Sequence, residues 1–158
     1  MTSISATLKH NLNEQGFDNF DDTAKCGLVW PLRFTPAVSI GLIIIGLIWQ
    51  SPLYMGVLAL IGLSGALLPH GMLIDLIYNF GVRHLFYAPS LPPTPKPRQF
   101  SYLISTLFLT GSALSFYYNL PVLGIVLAGL VCIAGTVLIT THWCLGSWFY
   151  KLIFGQSR

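Results

Sequence analysis

Residues 121–140 read PVLGIVLAGLVCIAGTVLIT. The stretch carries no charge, and its length matches the roughly 17–25 residues that a helix needs to cross about 30 Å of hydrocarbon. Pro121 opens it, at the helical position where a missing N–H costs nothing. Working outward, Asn119-Leu120 joins it to another apolar run, about Phe100 to Tyr118, and the two read as a helical hairpin. The arrangement recurs upstream. A run from about Phe34 to Trp49 meets the turn Gln50-Ser51-Pro52, and a run from about Pro52 to Leu68 follows. These first two runs are marginal in length, so they imply a thinned bilayer or help from flanking residues. Without water, only a regular backbone satisfies its own hydrogen bonds. The expectation is an all-α membrane protein with four transmembrane helices, spanning about 34–49, 52–68, 100–118 and 121–140.

Composition points the same way. The 158 residues are 54% hydrophobic and 8% charged, against about 25% charged in soluble domains. So little charge cannot make a water-facing surface, and mean hydropathy is +0.70. The length suits one four-helix membrane domain over 34–158, behind an N-terminal arm at 1–33. Glu14, Asp18, Asp21 and Asp22 interrupt that arm. A secretory leader needs an unbroken apolar stretch of about 7–15 residues, so the first span is expected to be uncleaved. Nucleic acid is not an expected partner: there is no basic run, and the aromatics sit in apolar stretches.

Charge placement sets the orientation. The basic residues are Lys9, Lys25, Arg33, Arg83, Lys96, Arg98, Lys151 and Arg158. All fall in the arm, the central connection or the C-terminal tail, and neither hairpin turn has one. Positive residues stay in the cytoplasm, and an even number of spans puts all three regions on one side. The arm and the tail are therefore both expected inside.

The halves also read as a parallel internal repeat. Arg33-Phe34 opens one hairpin and Arg98-Gln99-Phe100 the other. Pro52 aligns with Pro121, Val57-Leu58-Ala59 with Val126-Leu127-Ala128, and Gly65-Ala66 with Ala134-Gly135. Two copies with an even number of spans share one orientation, about an axis along the membrane normal. The alternative is coincidence among common membrane residues.

Between the hairpins, Asp75, Asn79 and Arg83 form a polar stripe opposite Leu73, Leu76, Ile77 and Phe80. Residues 71–87 thus read as an interfacial amphipathic helix, with a simple linking helix as the plainer reading. The prolines of Ala88 to Pro97 then favour an extended, semi-rigid linker. Gly56, Ala59, Gly62 and Ala66 share a helical face, as do Gly124, Ala128, Cys132 and Gly135. Small residues let helices approach closely where lipid gives no hydrophobic drive. Internal packing is the first reading and a homo-oligomer interface the second. No charged residue falls within the four expected spans. Proton relays and ion pathways need such groups, so a proton-coupled pump is not expected. A carrier of neutral or thiol-linked solutes stays open.

The stretch 141–148, Thr-His-Trp-Cys-Leu-Gly-Ser-Trp, is the best place for chemistry. Cys144 is a candidate reactive thiol, with His142 two residues away to favour the thiolate. Cys26 belongs on the same side of the membrane, so a Cys26–Cys144 pair is topologically possible; spacing alone cannot bring them within bonding distance. The plainer reading is an aromatic anchor with incidental Cys and His. Cys26, His142 and Cys144 lack the close ligand pairs of a zinc site, and no metal or cofactor is predicted. Cys132 reads as a small packing residue, and His70 and His84 as interfacial polar residues.

The Arg-Phe pairs and the Cys-Leu-Gly sequence carry a resemblance. The chain resembles the bacterial integral-membrane family known as domain of unknown function forty-three ninety-five. Its members carry Arg-Phe before each of two hairpins and a C-x-G-C signature after the last span. The matches are Leu32-Arg33-Phe34, Arg98 with Phe100, and Cys144-Leu145-Gly146, over about Arg33 to Tyr150. Gln99 is inserted in the second motif, and Ser147 stands where the family often has its second cysteine. The resemblance implies a bacterial inner membrane and no established activity. Three functions follow. The first is an accessory or structural subunit of a larger membrane complex, which is not an enzyme. The second is a thiol-redox or sulfur-handling protein using Cys144, and the third a passive carrier of a neutral solute.

Overall fold

A computed structural model of the chain describes residues 5–68, 72–87 and 89–155. The described residues contain helices and no strand. The arm holds α1 (Ala6–Glu14) and α2 (Asp22–Leu28), and α3 (Pro31–Trp49) and α4 (Pro52–Leu67) follow. Next come α5 (Leu73–Ile77), a π-helical turn (Tyr78–Val82) and α6 (Arg83–Phe86) without a break. The chain ends with α7 (Lys96–Tyr117), α8 (Pro121–Thr141) and α9 (Leu145–Phe154).

Local chemistry explains the boundaries. Pro31, Pro52 and Pro121 stand at the first helical position of α3, α4 and α8, where φ is already set for a helix. Gln50 ends α3 in the left-handed region at φ 48°, and Asn119 follows α7 at φ 57°. Ser51 accepts a 3.4 Å bond from the Tyr54 N–H and so caps α4. Pro36 lies inside α3, where it removes one backbone bond.

Two helix starts differ from the sequence expectation. Helix α3 begins at Pro31, so Arg33 is its third residue, and α7 begins at Lys96, inside the expected linker. Pro97 is second in α7, a position that needs no N–H partner. Both arginines thus become helical residues at the ends of apolar rods. The stretch expected as one helix over 71–87 is helical from Leu73 to Phe86 but passes through a π turn, and Asp75 and Asn79 of its polar stripe bond to the protein. Asn79 accepts from the Leu91 N–H at 2.8 Å, while Phe80 is 81% exposed. Gly71, His70, Ala88 and Arg158 lie outside the described residues. After the last apolar rod, the stretch whose plainer sequence reading is an aromatic anchor forms the helix α9.

Helix α4 lies along α7, α7 along α8 and α8 along α3, with a looser α3–α4 contact. Ile43, Met55, Leu58, Ala59, Leu109, Phe116 and Ala128 form the core between them. Some small residues sit where helices approach. A Cβ on Gly62 would lie 2.8 Å from Thr106 Oγ1, one on Gly124 2.7 Å from the Phe116 ring, and one on Gly135 3.0 Å from Ile40 Cδ1. Gly56 faces open space. Three helical stretches are long and apolar enough to cross a membrane: Asp22–Trp49, Lys96–Tyr117 and Pro121–Thr141. Helix α4 is apolar but has 16 residues, about 24 Å at 1.5 Å per residue.

The arm, the connector and the tail gather at one end of the bundle. Leu12, Phe17, Leu28, Leu32, Tyr78 and Leu91 form a second apolar cluster there. Helix α9 packs on α7 and α1, and Lys151 pairs with Glu14 at 3.2 Å. The turns at 50–51 and 119–120 lie at the other end.

Candidate functional site

The first turns of α7 and α9 meet at the connector end. Gly146 makes the approach possible, because a Cβ there would fall 2.5 Å from Ser101 Oγ and 2.8 Å from Ser101 Cα. At that contact Ser101 Oγ lies 2.9 Å from Cys144 Sγ and 3.4 Å from Ser147 Oγ. Cys144 is 5% exposed and Ser147 fully buried.

One turn earlier on α7 stands Arg98, 4% exposed. Its Nε and the hydroxyl of Tyr102 are both buried with no hydrogen-bond partner. The guanidinium carbon lies 5.8 Å from the Tyr102 ring centre, and Asp75 and Cys144 are within electrostatic range. Asp75 comes from α5 and accepts a hydrogen bond from the Thr35 hydroxyl of α3.

The two halves place matching residues here. Arg33 and Arg98 are each third in their helices, Asp75 is third in α5 and Ser147 third in α9. Thr35 follows Phe34 and bonds Asp75, while Ser101 follows Phe100 and lies against Ser147.

His142 ends α8 in the left-handed region, at φ 54°. Its Nε2 is 3.2 Å from the Val29 carbonyl and 3.3 Å from Arg33 Nε. One tautomer donates to Val29 and the other accepts from Arg33, so the two bonds exclude each other. Burial pushes the imidazole below its usual range; the Val29 carbonyl opposes this, and Arg33 and Arg98 add to the lowering. The ring is therefore neutral near pH 7. Two arm side chains close this end of α8. Asn11 Nδ2 donates to the Thr141 carbonyl and Gln15 Nε2 to the His142 carbonyl, each at 2.7 Å.

The structure thus brings Cys144 to Ser101, with the His142 ring bonded elsewhere. Cys26 is half-buried on α2, and no two cysteines are bonded among the described residues. Arg33 is exposed. Phe34 packs on Tyr78 at 5.2 Å between ring centres, and Phe100 on Tyr150 at 5.7 Å. Sequence reading missed Thr35, Ser101, Tyr102 and Ser147 as site residues. Their one signal was position, directly after each Arg-Phe motif and within the Cys-Leu-Gly-Ser turn. Among the described residues, no three His, Cys, Asp or Glu side chains converge as metal ligands. The site is instead rich in hydrogen-bond donors, suited to holding an acceptor.

No curated protein and no solved structure matches the chain. A family match covers residues 30–154, which takes in every helix of the site and leaves the arm before it. The chain belongs to the family described as Domain of unknown function (DUF4395).

Proposed function

We propose that the chain is a four-span protein of the bacterial inner membrane, with both termini in the cytoplasm, acting as an accessory subunit of a larger membrane complex. Helix α4 is the fourth span. It is apolar and lies along α7, and its shortfall in length is met by local thinning of the bilayer. The repeat unit is a hairpin followed by a surface helix, α3–α4–α5 and then α7–α8–α9. The matched Thr35–Asp75 and Ser101–Ser147 contacts support it.

One observation carries the non-catalytic reading. The Cys144 sulfur lies against a hydroxyl, and the ring of its nearest histidine in sequence is bonded to Val29 or Arg33. An activated nucleophile needs an adjacent base or an equivalent activator. Gentle detergent extraction with a tag on this chain, repeated with the tag on whatever copurifies, tests the role. The expected result is one larger membrane protein recovered in both directions. Recovery of this chain alone, from membranes in which it functions, overturns the accessory role.

A second reading keeps Cys144 as a working thiol. It is favoured by the position of Cys144 at the start of α9 beside Arg98, surroundings in which reactive cysteines occur. On that reading Cys144→Ser abolishes function while membrane insertion persists. A Cys144→Ser protein that works as the wild type does removes it.

A further inference from the structure

We infer that Arg98, Tyr102, Ser101 and Ser147 form a binding site for a small phosphate- or sulfate-type oxyanion, where the first turns of α7 and α9 meet. The two halves differ at one position of the surface helix. In the first half, the third residue of the surface helix is Asp75, whose carboxylate answers the Thr35 hydroxyl. In the second half the same position holds Ser147, and Ser101, which donates to the Pro97 carbonyl at 3.3 Å, faces only the Cys144 thiol and the Ser147 hydroxyl across the helix contact, with no carboxylate. An acid bonded to its hydroxyl in one half has no counterpart at Ser147 in the other, and the two buried groups without a hydrogen bond, Arg98 Nε and Tyr102 Oη, flank Ser101 on α7 with Asp75 only in electrostatic range.

Arg98 Nε and Tyr102 Oη are buried and make no hydrogen bond of normal geometry, although the two side chains lie close enough to interact with each other. Buried polar groups are almost always satisfied, and a bound ion is one recognised reason for an exception. On a buried guanidinium an unmade Nε bond is costlier still. Among the described residues the ion pairs are Lys9–Asp22 and Lys151–Glu14, so Arg98 is in none. Asp75 lies within its field but is held by Thr35; it offsets charge and leaves the Nε bond unmade. A planar guanidinium fork suits an oxyanion. The ten-residue α9 adds its N-terminus, which no side chain caps, and such ends favour anions. The oxyanion has two possible sources, free in solution or on the headgroup of an anionic lipid.

The test uses the full chain in neutral detergent and phosphate-free buffer. Its unfolding midpoint is followed with inorganic phosphate, with sulfate, and with short-chain phosphatidylglycerol, against chloride at equal ionic strength. The expected shift is upward by about 3–6 °C when the probe stands tenfold above its dissociation constant. A response to phosphate or sulfate assigns the free ion, and a response to phosphatidylglycerol alone assigns the headgroup. Tyr102→Phe keeps the ring and loses one donor, so half-maximal shift should need about tenfold more probe, the weight of one hydrogen bond. Ser147→Asp supplies the acid of the first half and should abolish the response. If Ser147→Asp does not fold, Tyr102→Phe decides. The inference is overturned if no probe moves the wild-type midpoint beyond chloride, or if Tyr102→Phe responds as the wild type does.

Discussion

A methyl group at Gly146 would fall 2.5–2.8 Å from the Oγ, Cα and Cβ of Ser101. The Cα is backbone and cannot swing aside, so Gly146→Ala must push α9 off α7 and open the buried contact around Cys144. The expected cost is about 1–3 kcal/mol, as for other overpacked sites, read as a lower unfolding midpoint in detergent. Gly56→Ala is the matched control. Its Cβ meets nothing within 4 Å, and alanine is the better helix former, so its midpoint should hold or rise. His142 gives a pH dependence. Its pKa is lowered in the fold from 6.5, so below 6.5 the unfolded chain takes up the proton first. The stability contributed by the neutral ring is complete above 6.5 and is lost as pH falls through the lower folded value. His142→Asn tolerates the left-handed backbone and cannot titrate. It should therefore show a flatter midpoint-against-pH curve below 6.5 than the wild type.

At the scale of elements, α1 is held both by side-chain bonds to distant backbone and by Leu12 in the apolar cluster. Asn11 and Gln15 satisfy the Thr141 and His142 carbonyls across sequence separations of 130 and 127 residues. Removing both amides leaves two helix-end acceptors open, at about 1 kcal/mol each. Asn11→Ala with Gln15→Ala should therefore speed hydrogen exchange through α1 while leaving α7 and α8 protected. Equal exchange in the variant and the wild type would show that the arm is held by Leu12 and Phe17 alone. This also explains what the sequence could disclose. The apolar rods and their proline starts were legible because hydrophobic runs and missing N–H groups are local signals. The arm helices were not, since their bonds depend on carbonyls that only the folded chain brings near. For residues 73–86 the amphipathic pattern was readable but not its sense, because a polar stripe can meet water or, as with Asn79 and Leu91, the protein. In the sequence Arg98 reads as a charge of the central connection for the same reason. Nothing in Lys96-Pro97-Arg98 tells that α9 will pack on this helix and leave Arg98 buried.

The whole molecule has two ends of opposite character. The connector end collects Lys9, Lys25, Arg33, Arg83, Lys96, Arg98 and Lys151, with the arm and α9 folded together through Lys151 and Glu14. The far end carries the two turns, with Tyr117, Tyr118 and Trp49 exposed around them, the aromatic residues expected at a membrane boundary. No lysine or arginine occurs in either turn. On the proposed reading, retention of positive charge puts the connector end in the cytoplasm, and α4 crosses so that both turns emerge together. Single cysteines at Ser51 and at Tyr118, in a chain whose three native cysteines are replaced by serine, test this directly. Both should react with a membrane-impermeant maleimide added outside spheroplasts, whereas a cysteine at the exposed arm residue Asp18 should react only after the membrane is opened. Labelling of Tyr118→Cys but not Ser51→Cys from outside would mean that α3 and α4 do not both cross. The first half would then lie on the surface, and the parallel relation between the halves would have to be abandoned.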